Sequence, residues 1–523
     1  MPGEISYRAI LSALSSPSDL SFGVRSLLRG TTVRYTLQAG DARTATPFFD
    51  QTLQEDGAWH VFRVPLPLVS GETTITFRPE SSAPGNTAYW ANPRIIPKEQ
   101  APKTNVILFL ADALRADRLG FHGYPKPVSP FLDQLAESGV VFLNSYTAAS
   151  WTKPSAASLL TSLYPQTHGV GLRSNTDALP ATVRTLQQHL RVNGYVSAHL
   201  SANPLGSTLS GLDRGFDSTF MPRFFEADGR RAPKIRSDAL VNKALAWIAE
   251  HQNEPFFLYI HAMDTHTPYL APVATDSAAE DGAAARYDAE LLFSDQQIRR
   301  LHEHLAARGL SERTLFVFTS DHGEGFGEHG QTGHGLSVYQ EETRVPLLMA
   351  HRGSLKPERV EEGATLLDVM PAVLSHLAIP LEAAAQGTNI LSAQERRRDR
   401  LIVAGKYTFP EANPSEREVL AAMQGTWKLI ARMPLSAQAP IFELYDLAAD
   451  PLERNNLAAA QPERTSGMYA RLLQFLEEQE KSRGEFVTSH AAENAGRDAE
   501  SGPPPRTLSQ DMLERLRSLG YVK

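Results

Sequence analysis

Two hydrophobic rhythms alternate between Asn105 and His351. Short unbroken apolar runs, NVILFLAD (105–112), VSAHLSAN (196–203), FFLYIHAMD (256–264), TLFVFTSDHG (314–323) and VPLLMAH (345–351), suit strands covered on both faces. Between them, PATVRTLQQHLRVNG, KIRSDALVNKALAWIAEH and ELLFSDQQIRRLHEHLAARG repeat apolar residues at helical spacing. Strand and helix in alternation predict an α/β fold with a doubly wound, mostly parallel sheet over 103–395. Upstream the period falls to two. VRYTLQA, WHVFRVPL and TTITFRP alternate apolar with polar between Gly, Asp, Asn and Pro turns. They predict an N-terminal all-β sandwich over 1–98, ending near Tyr89 to Ile96, and PKEQAPKT reads as the linker after it. From about 400, VLAAMQGTWKLIARM and IFELYDL predict a small antiparallel sheet within a C-terminal subdomain, 396–482. The remainder, 483–523, reads as a flexible linker (ENAGRDAESGPPPRT) and an amphipathic terminal helix (LSQDMLERLRSLGYV).

A chain of 523 residues has room for several domains. Its net charge of -8, pI near 6.1 and lack of a basic block exclude nucleic acid as the main partner. The absence of cysteine excludes disulfides and thiol nucleophiles. No apolar run reaches the roughly 18 residues of a membrane-spanning helix. The start, MPGEISYRAILSALSSPSDL, lacks the basic-then-apolar order of a signal peptide. A cytoplasmic location is expected as written, and an extracytoplasmic (periplasmic) one if the start is truncated.

Ligands in open α/β sheets bind beyond the carboxyl ends of the strands. There the apolar runs unload Asp112, then Asp264 with His266, then Asp321 with His322. One such Asp is an ordinary helix cap; together they spell a divalent-metal site. Thr152 precedes a proline-started, small-residue helix, TKPSAASLLTSLY. The free N–H groups of that helix start suit an oxyanion, and metal coordination is one way to activate an alcohol. The glycine-rich GEGFGEHGQTGHG (323–335) is no P-loop, since no Lys-Ser/Thr follows.

Four segments in chain order carry a resemblance to the sulfatase family of the alkaline phosphatase superfamily. They are NVILFLADALRADRLGFHGY, WTKPSAASLLTSLYPQTHGV, FTSDHGEGFGEHGQTGHG and ELYDLAADPLERNNLA, and LRSLGYV at the end is also common there. The resemblance covers about 103–523. It implies hydrolysis of a sulfate, phosphate or phosphonate ester on a substrate such as a glycan or lipid, with Asp112, Asp321 and His322 as metal ligands. Thr152 would be the metal-bound nucleophile, and His266 and His334 would hold the oxyanion or leaving group. Arg115, Lys153 and Asn203 are weaker substrate-binding candidates, and Asp264 a weaker metal ligand.

Several positions depart from the family pattern. Thr152 stands where a Cys or Ser is oxidised to formylglycine, so no formylglycine is expected; Ala156 replaces the supporting arginine. Ala113 replaces a second Asp, Ser201-Ala202-Asn203 a Lys-x-His, His322 an Asn, and His334 a Lys. These changes resemble the threonine-using branch. Imidazole among the ligands favours zinc or manganese over calcium. Asp264, His266 and His334 would suit a second ion, which leans the substrate toward phosphate or phosphonate. A phosphoglycerol- or phosphoethanolamine-type transferase and a non-catalytic sulfatase-like binding protein are the alternatives. Trp59 and Trp90 make the N-terminal sandwich either a candidate glycan-binding module or simply a domain with an aromatic core.

Overall fold

The computed structural model describes residues 5–7, 17–26, 28, 30–40, 47–56, 60–67, 74–83, 86–97, 103–172, 177–221, 234–270, 282–407, 416–434 and 439–494. The chain forms two compact units, 1–103 and 104–523. The terminal helix expected near 508–522 and most of the expected linkers lie outside the described residues.

In the first unit, strands Ile5–Tyr7, Ile75–Ser81, Thr32–Ala39 and Pro47–Gln54 form one antiparallel sheet in that spatial order. Ser18–Ser26 pairs with both His60–Pro65 and Ala88–Pro97 in a second. Their alternate inward residues, among them Phe22, Tyr35, Leu37 and Phe77, share one core. Trp90 is half-buried and packs against that core, its ring centroid 5.3 Å from Phe22, 5.3 Å from Tyr35 and 5.0 Å from Phe77. Two of these contacts, with Tyr35 and Phe77, are edge-to-face, a geometry favourable for aromatic packing. Trp59 lies outside the described residues.

The second unit is built on an eight-stranded sheet. Strands Ser218–Phe220, Val196–Ser201, Phe256–Ala262, Asn105–Ala111 and Thr314–Thr319 run parallel in that spatial order. Asn105–Ala111, Phe256–Ala262 and Thr314–Thr319 are buried at every position, because helices cover both faces. One expected parallel strand reverses: Leu347–Ala350 runs antiparallel to Thr314–Thr319, with Phe316 opposite Ala350. Its connection from Thr319 holds the four-residue helix Gln340–Thr343 and a two-stranded hairpin, and no long crossover helix of the kind that usually joins parallel strands. One apolar core lies on each face of the sheet.

A second antiparallel sheet follows, Ile402–Lys406, Glu416–Gln424, Trp427–Pro434 and Ile441–Asp446. It packs with Met468, Leu472 and Phe475 of the helix Pro462–Asn494, which extends into the stretch read as linker. A buried ion pair, Lys428 Nζ to Glu453 Oε1 at 2.7 Å, ties this sheet to the glycine-rich segment. Glu453 Oε2 accepts from Gln340 N at 2.6 Å and its carbonyl from His329 Nε2 at 3.2 Å. No helix among the described residues is long and apolar enough to cross a membrane.

Candidate active site

The three central strands end side by side, so Asp112, His266, Asp321 and His322 emerge at one edge of the sheet. The turn after Asn105–Ala111 is pinned from several directions. Thr265 Oγ1 donates to the Asp112 carbonyl at 2.6 Å, Tyr287 Oη to the Ala113 carbonyl at 2.8 Å, and Leu114 N to Ser320 Oγ at 2.8 Å. These bonds hold Ala113 at φ 59°, a left-handed conformation that costs a non-glycine residue about 1–2 kcal/mol.

That turn presents an asymmetric pair of carboxylates. Asp112 Oδ2 accepts from Asn203 Nδ2 at 2.6 Å and from His261 Nε2 at 2.9 Å, while Oδ1 has no hydrogen-bond partner. Asp321 Oδ1 accepts from Ala113 N at 3.2 Å and His322 N at 3.0 Å, while Oδ2 has none. His322 Nδ1 donates to the Gly323 carbonyl at 2.9 Å, which leaves a lone pair on Nε2. That nitrogen lies 3.7 Å from Asp112 Oδ1 and 3.5 Å from Asp321 Oδ2. Two orphaned carboxylate oxygens and an imidazole nitrogen carrying a lone pair thus converge, all fully buried. They form the one cluster of three or more metal-type ligands among the described residues.

Without a cation this cluster is electrostatically frustrated. Burial and the charge on Asp112 push the Asp321 carboxyl above its usual range. Burial also opposes ionisation of Asp112, yet the hydrogen bond from His261 and the surrounding imidazoles hold it well below that range. Orphaned anionic oxygens beside an imidazole lone pair fit a divalent cation, and the mixed N/O set is one that zinc and manganese accept.

Thr152 opens the helix Thr152–Thr161, every residue of which is buried. The cap position before it is held by Trp151. Thr152 Oγ1 lies 3.2 Å from His322 Nε2 and accepts from Asn203 Nδ2 at 3.3 Å. Asn203, expected to touch substrate, instead bridges Asp112 and Thr152. Lys153 is buried beside Thr152, its ammonium pushed down to about 8 by burial against the pull of Asp177.

His266 and His334 stand together, ring centroids 4.8 Å apart, and His334 lies 4.3 Å from the ring of His322. Their environments differ. Burial pushes His266 down to about 4, and its Nδ1 donates to the Thr267 carbonyl at 2.6 Å, so Nε2 carries a lone pair. Burial opposes charge on His334 too, but the Glu324 carboxylate, 3.0 Å from Nδ1, pushes it up to about 9. Glu324 is correspondingly lowered, and its other oxygen accepts from Tyr269 Oη at 3.1 Å.

Two expected residues serve elsewhere. Both oxygens of Asp264 face Ser237 N at the start of a helix, at 3.1 and 3.2 Å. Asp264 is therefore a helix-start acceptor, and the second-metal set of Asp264, His266 and His334 does not assemble. Arg115 is buried but committed: Nε and Nη2 meet Asp117 at 2.9 and 2.7 Å, and Nη1 pairs with Glu328. Nη1 also donates to the Glu324 carbonyl at 3.1 Å, so four of the five guanidinium N–H groups are engaged and two carboxylates balance the charge. His168 and His329 are structural; the first bonds Ser158 at 3.0 Å, and the second stacks 3.6 Å from Tyr339 and pairs with Glu341.

Two residues of the cluster escaped the sequence reading. His261 sits inside a fully buried strand, where a histidine amid apolar neighbours was its one signal. Glu324 follows the Asp-His pair and looked like part of a glycine loop.

Known proteins resemble this chain. A family model described as sulfatase matches residues 104–379, and one described as N-sulphoglucosamine sulphohydrolase, C-terminal, matches 327–482. The chain is 25% identical over 481 residues to an N-acetylgalactosamine-6-O-sulfatase of Bacteroides thetaiotaomicron, spanning 70% of this chain and 91% of that one. A protein solved with its substrate D-glucosamine-2-N,6-O-disulfate has a TM-score of 0.60 at 19% identity, covering 73% of this chain and 98% of that one. The phosphonate monoester hydrolase of Agrobacterium radiobacter has a TM-score of 0.58 at 20% identity, covering 72% and 96%. At such identities the solved structures speak for the fold, whereas the sulfatase model spans more than half of the chain. This chain belongs to the sulfatase family of hydrolases.

Proposed function

We propose that the protein hydrolyses a monoanionic sulfate ester, carried on a saccharide-like alcohol, through Thr152 as nucleophile and a single divalent cation at Asp112, Asp321 and His322. The observation that carries this reading is the hydrogen bond of Thr152 Oγ1 with His322 Nε2 at 3.2 Å, beside two orphaned carboxylate oxygens. A cation held there lowers the pKa of the neighbouring alcohol, so that Thr152 is present as the better nucleophile. Asn203 holds that oxygen in line with Asp112. Oγ1, its own proton released to solvent, would attack sulfur, forming the Thr152 O–S bond and breaking the S–O bond to the leaving alcohol. The imidazolium of His334, kept charged by Glu324, protonates the departing oxygen. His266, neutral at pH 7, takes a proton from the water that attacks sulfur; the S–O bond to Thr152 breaks, the threonine oxygen is returned for the next cycle, and the proton passes to the neighbouring His334. Two titratable groups pushed in opposite directions supply the acid and the base.

The lean toward phosphate or phosphonate rested on a second ion, and Asp264, one of its three expected ligands, turns both oxygens to Ser237 N instead. His334, cationic beside Glu324, does instead what the family lysine would do. A phosphonate monoester has the same single charge and is the second reading, supported by the likeness to a phosphonate monoester hydrolase. The glycan character of the substrate rests on the names of the relatives. A panel of aryl sulfate, aryl phosphonate and phosphate monoester, assayed with zinc, manganese or calcium restored after chelation, tests the reading. Sulfate or phosphonate turnover with one ion per chain is expected; faster turnover of the phosphate monoester overturns it.

A further inference from the structure

Behind Asp112 lies a histidine that the proposed chemistry does not use. His261 is fully buried in the strand Phe256–Ala262, and its Nε2 stands 2.9 Å from Asp112 Oδ2, the oxygen turned away from the orphaned pair. The same nitrogen is 3.9 Å from Asp321 Oδ2. The hydrogen bond to a carboxylate requires the proton on Nε2. Nδ1 is then bare, and it has no hydrogen-bond partner. That side of the ring faces Gly206, where an added Cβ would come within 2.5 Å of Nδ1 and 2.6 Å of Cε1. Gly206 has no left-handed backbone conformation to explain its lack of a side chain. The space it leaves is the space the imidazole occupies.

We infer that His261, seated against Gly206, is a positioning residue: it anchors Oδ2 of Asp112 so that Oδ1 is aimed at the cation cluster. A carboxylate held at one oxygen cannot rotate, and with both His261 and Asn203 donating to Oδ2 only Oδ1 remains for a metal. Groups that hold metal ligands in this way typically contribute 10–100-fold to affinity. The ring takes the place behind the cluster while Ala113, one residue beyond Asp112, offers only a backbone N–H to Asp321. The inference rests on the cation reading above.

The test uses the full chain, stripped with chelator and titrated with zinc or manganese ions alone. His261→Leu is expected to weaken binding roughly 10–100-fold. His261→Gln, whose amide N–H can reach the same oxygen, should recover most of that loss. Gly206→Ala, which displaces the ring without removing it, should weaken binding in the same direction as His261→Leu. Thermal unfolding of the stripped variants reports folding separately; should His261→Leu fail to fold, Gly206→Ala and His261→Gln still decide. Wild-type affinity in Gly206→Ala and His261→Leu, or a glutamine variant no better than leucine, overturns the inference. A wild-type chain that binds neither ion overturns the cation reading itself.

Discussion

Replacing Asp321 by asparagine should have opposite effects on stability with and without a cation. The ligand atoms of Asp112, Asp321 and His322 lie within 4.8 Å of one another, and all three residues are fully buried. Two carboxylates at that separation repel by about 3.5 kcal/mol at an effective dielectric of ~20. Burial and Asp112 accordingly push Asp321 above its usual range. Asparagine keeps the oxygen that accepts from Ala113 N and His322 N, removes the repulsion, and offers an N–H to the orphaned Asp112 Oδ1. In chelator the variant should therefore be more stable than wild type by about 1–3 kcal/mol. The sign with pH follows. An acid whose folded pKa is raised loses stability as pH rises from the unfolded value, near ~4, through the folded one. The advantage of asparagine in chelator should thus grow from pH 4 toward neutrality. With zinc at about 100 times its Kd, wild type gains ~2.7 kcal/mol, or roughly 5 °C in a melt, and the variant gains far less. Differential scanning fluorimetry across pH, with and without zinc, is the assay. A variant less stable than wild type in chelator, or equally stabilised by zinc, would refute the reasoning.

Other consequences follow from individual contacts. Glu324→Gln removes the charge that pushes His334 up to about 9, so the alkaline limb of kcat should move to lower pH. An unmoved limb in a pH–rate profile would remove His334 as the acid. A bound cation lowers both limbs, so the comparison is made on the same metal-loaded state. Lys428→Met strands Glu453 without its buried partner and should cost roughly 3–5 kcal/mol in urea unfolding; a cost below ~1 kcal/mol would show the pair to be dispensable. Trp90→Ala should destabilise the N-terminal unit by about 1–3 kcal/mol, as loss of a half-buried indole packed on the core does. Unchanged melting of a chain carrying Trp90→Ala would return it to the surface.

Much of the site was legible because strand ends and ligand types are local properties. The apolar run 105–111 dictates a doubly covered strand, and Asp112 must then emerge at its end; the same logic places Asp321 and His322. Thr152 was found through a four-segment resemblance, since a threonine before a helix has an ordinary capping role. What stayed hidden depends on direction in three dimensions. Asp264 leaves the right strand end, yet the start of a helix distant in sequence takes both of its oxygens. Arg115 lies next to the site in sequence and is neutralised by Asp117 and Glu328, the second of which only folding brings close. His334 looked like a neutral ligand because the carboxylate that charges it, Glu324, sits across a small hairpin. The reversed strand Leu347–Ala350 was invisible to periodicity, which reports burial and not direction.

The central claim is that Thr152 carries the transferred group. Metal-loaded protein mixed with excess 4-nitrophenyl sulfate and quenched in acid within one turnover should yield a peptide containing Thr152 heavier by one sulfuryl group. Thr152→Ala should yield none and turn over several orders of magnitude more slowly, with its melting temperature preserved. An unmodified peptide together with wild-type turnover by Thr152→Ala would contradict the account.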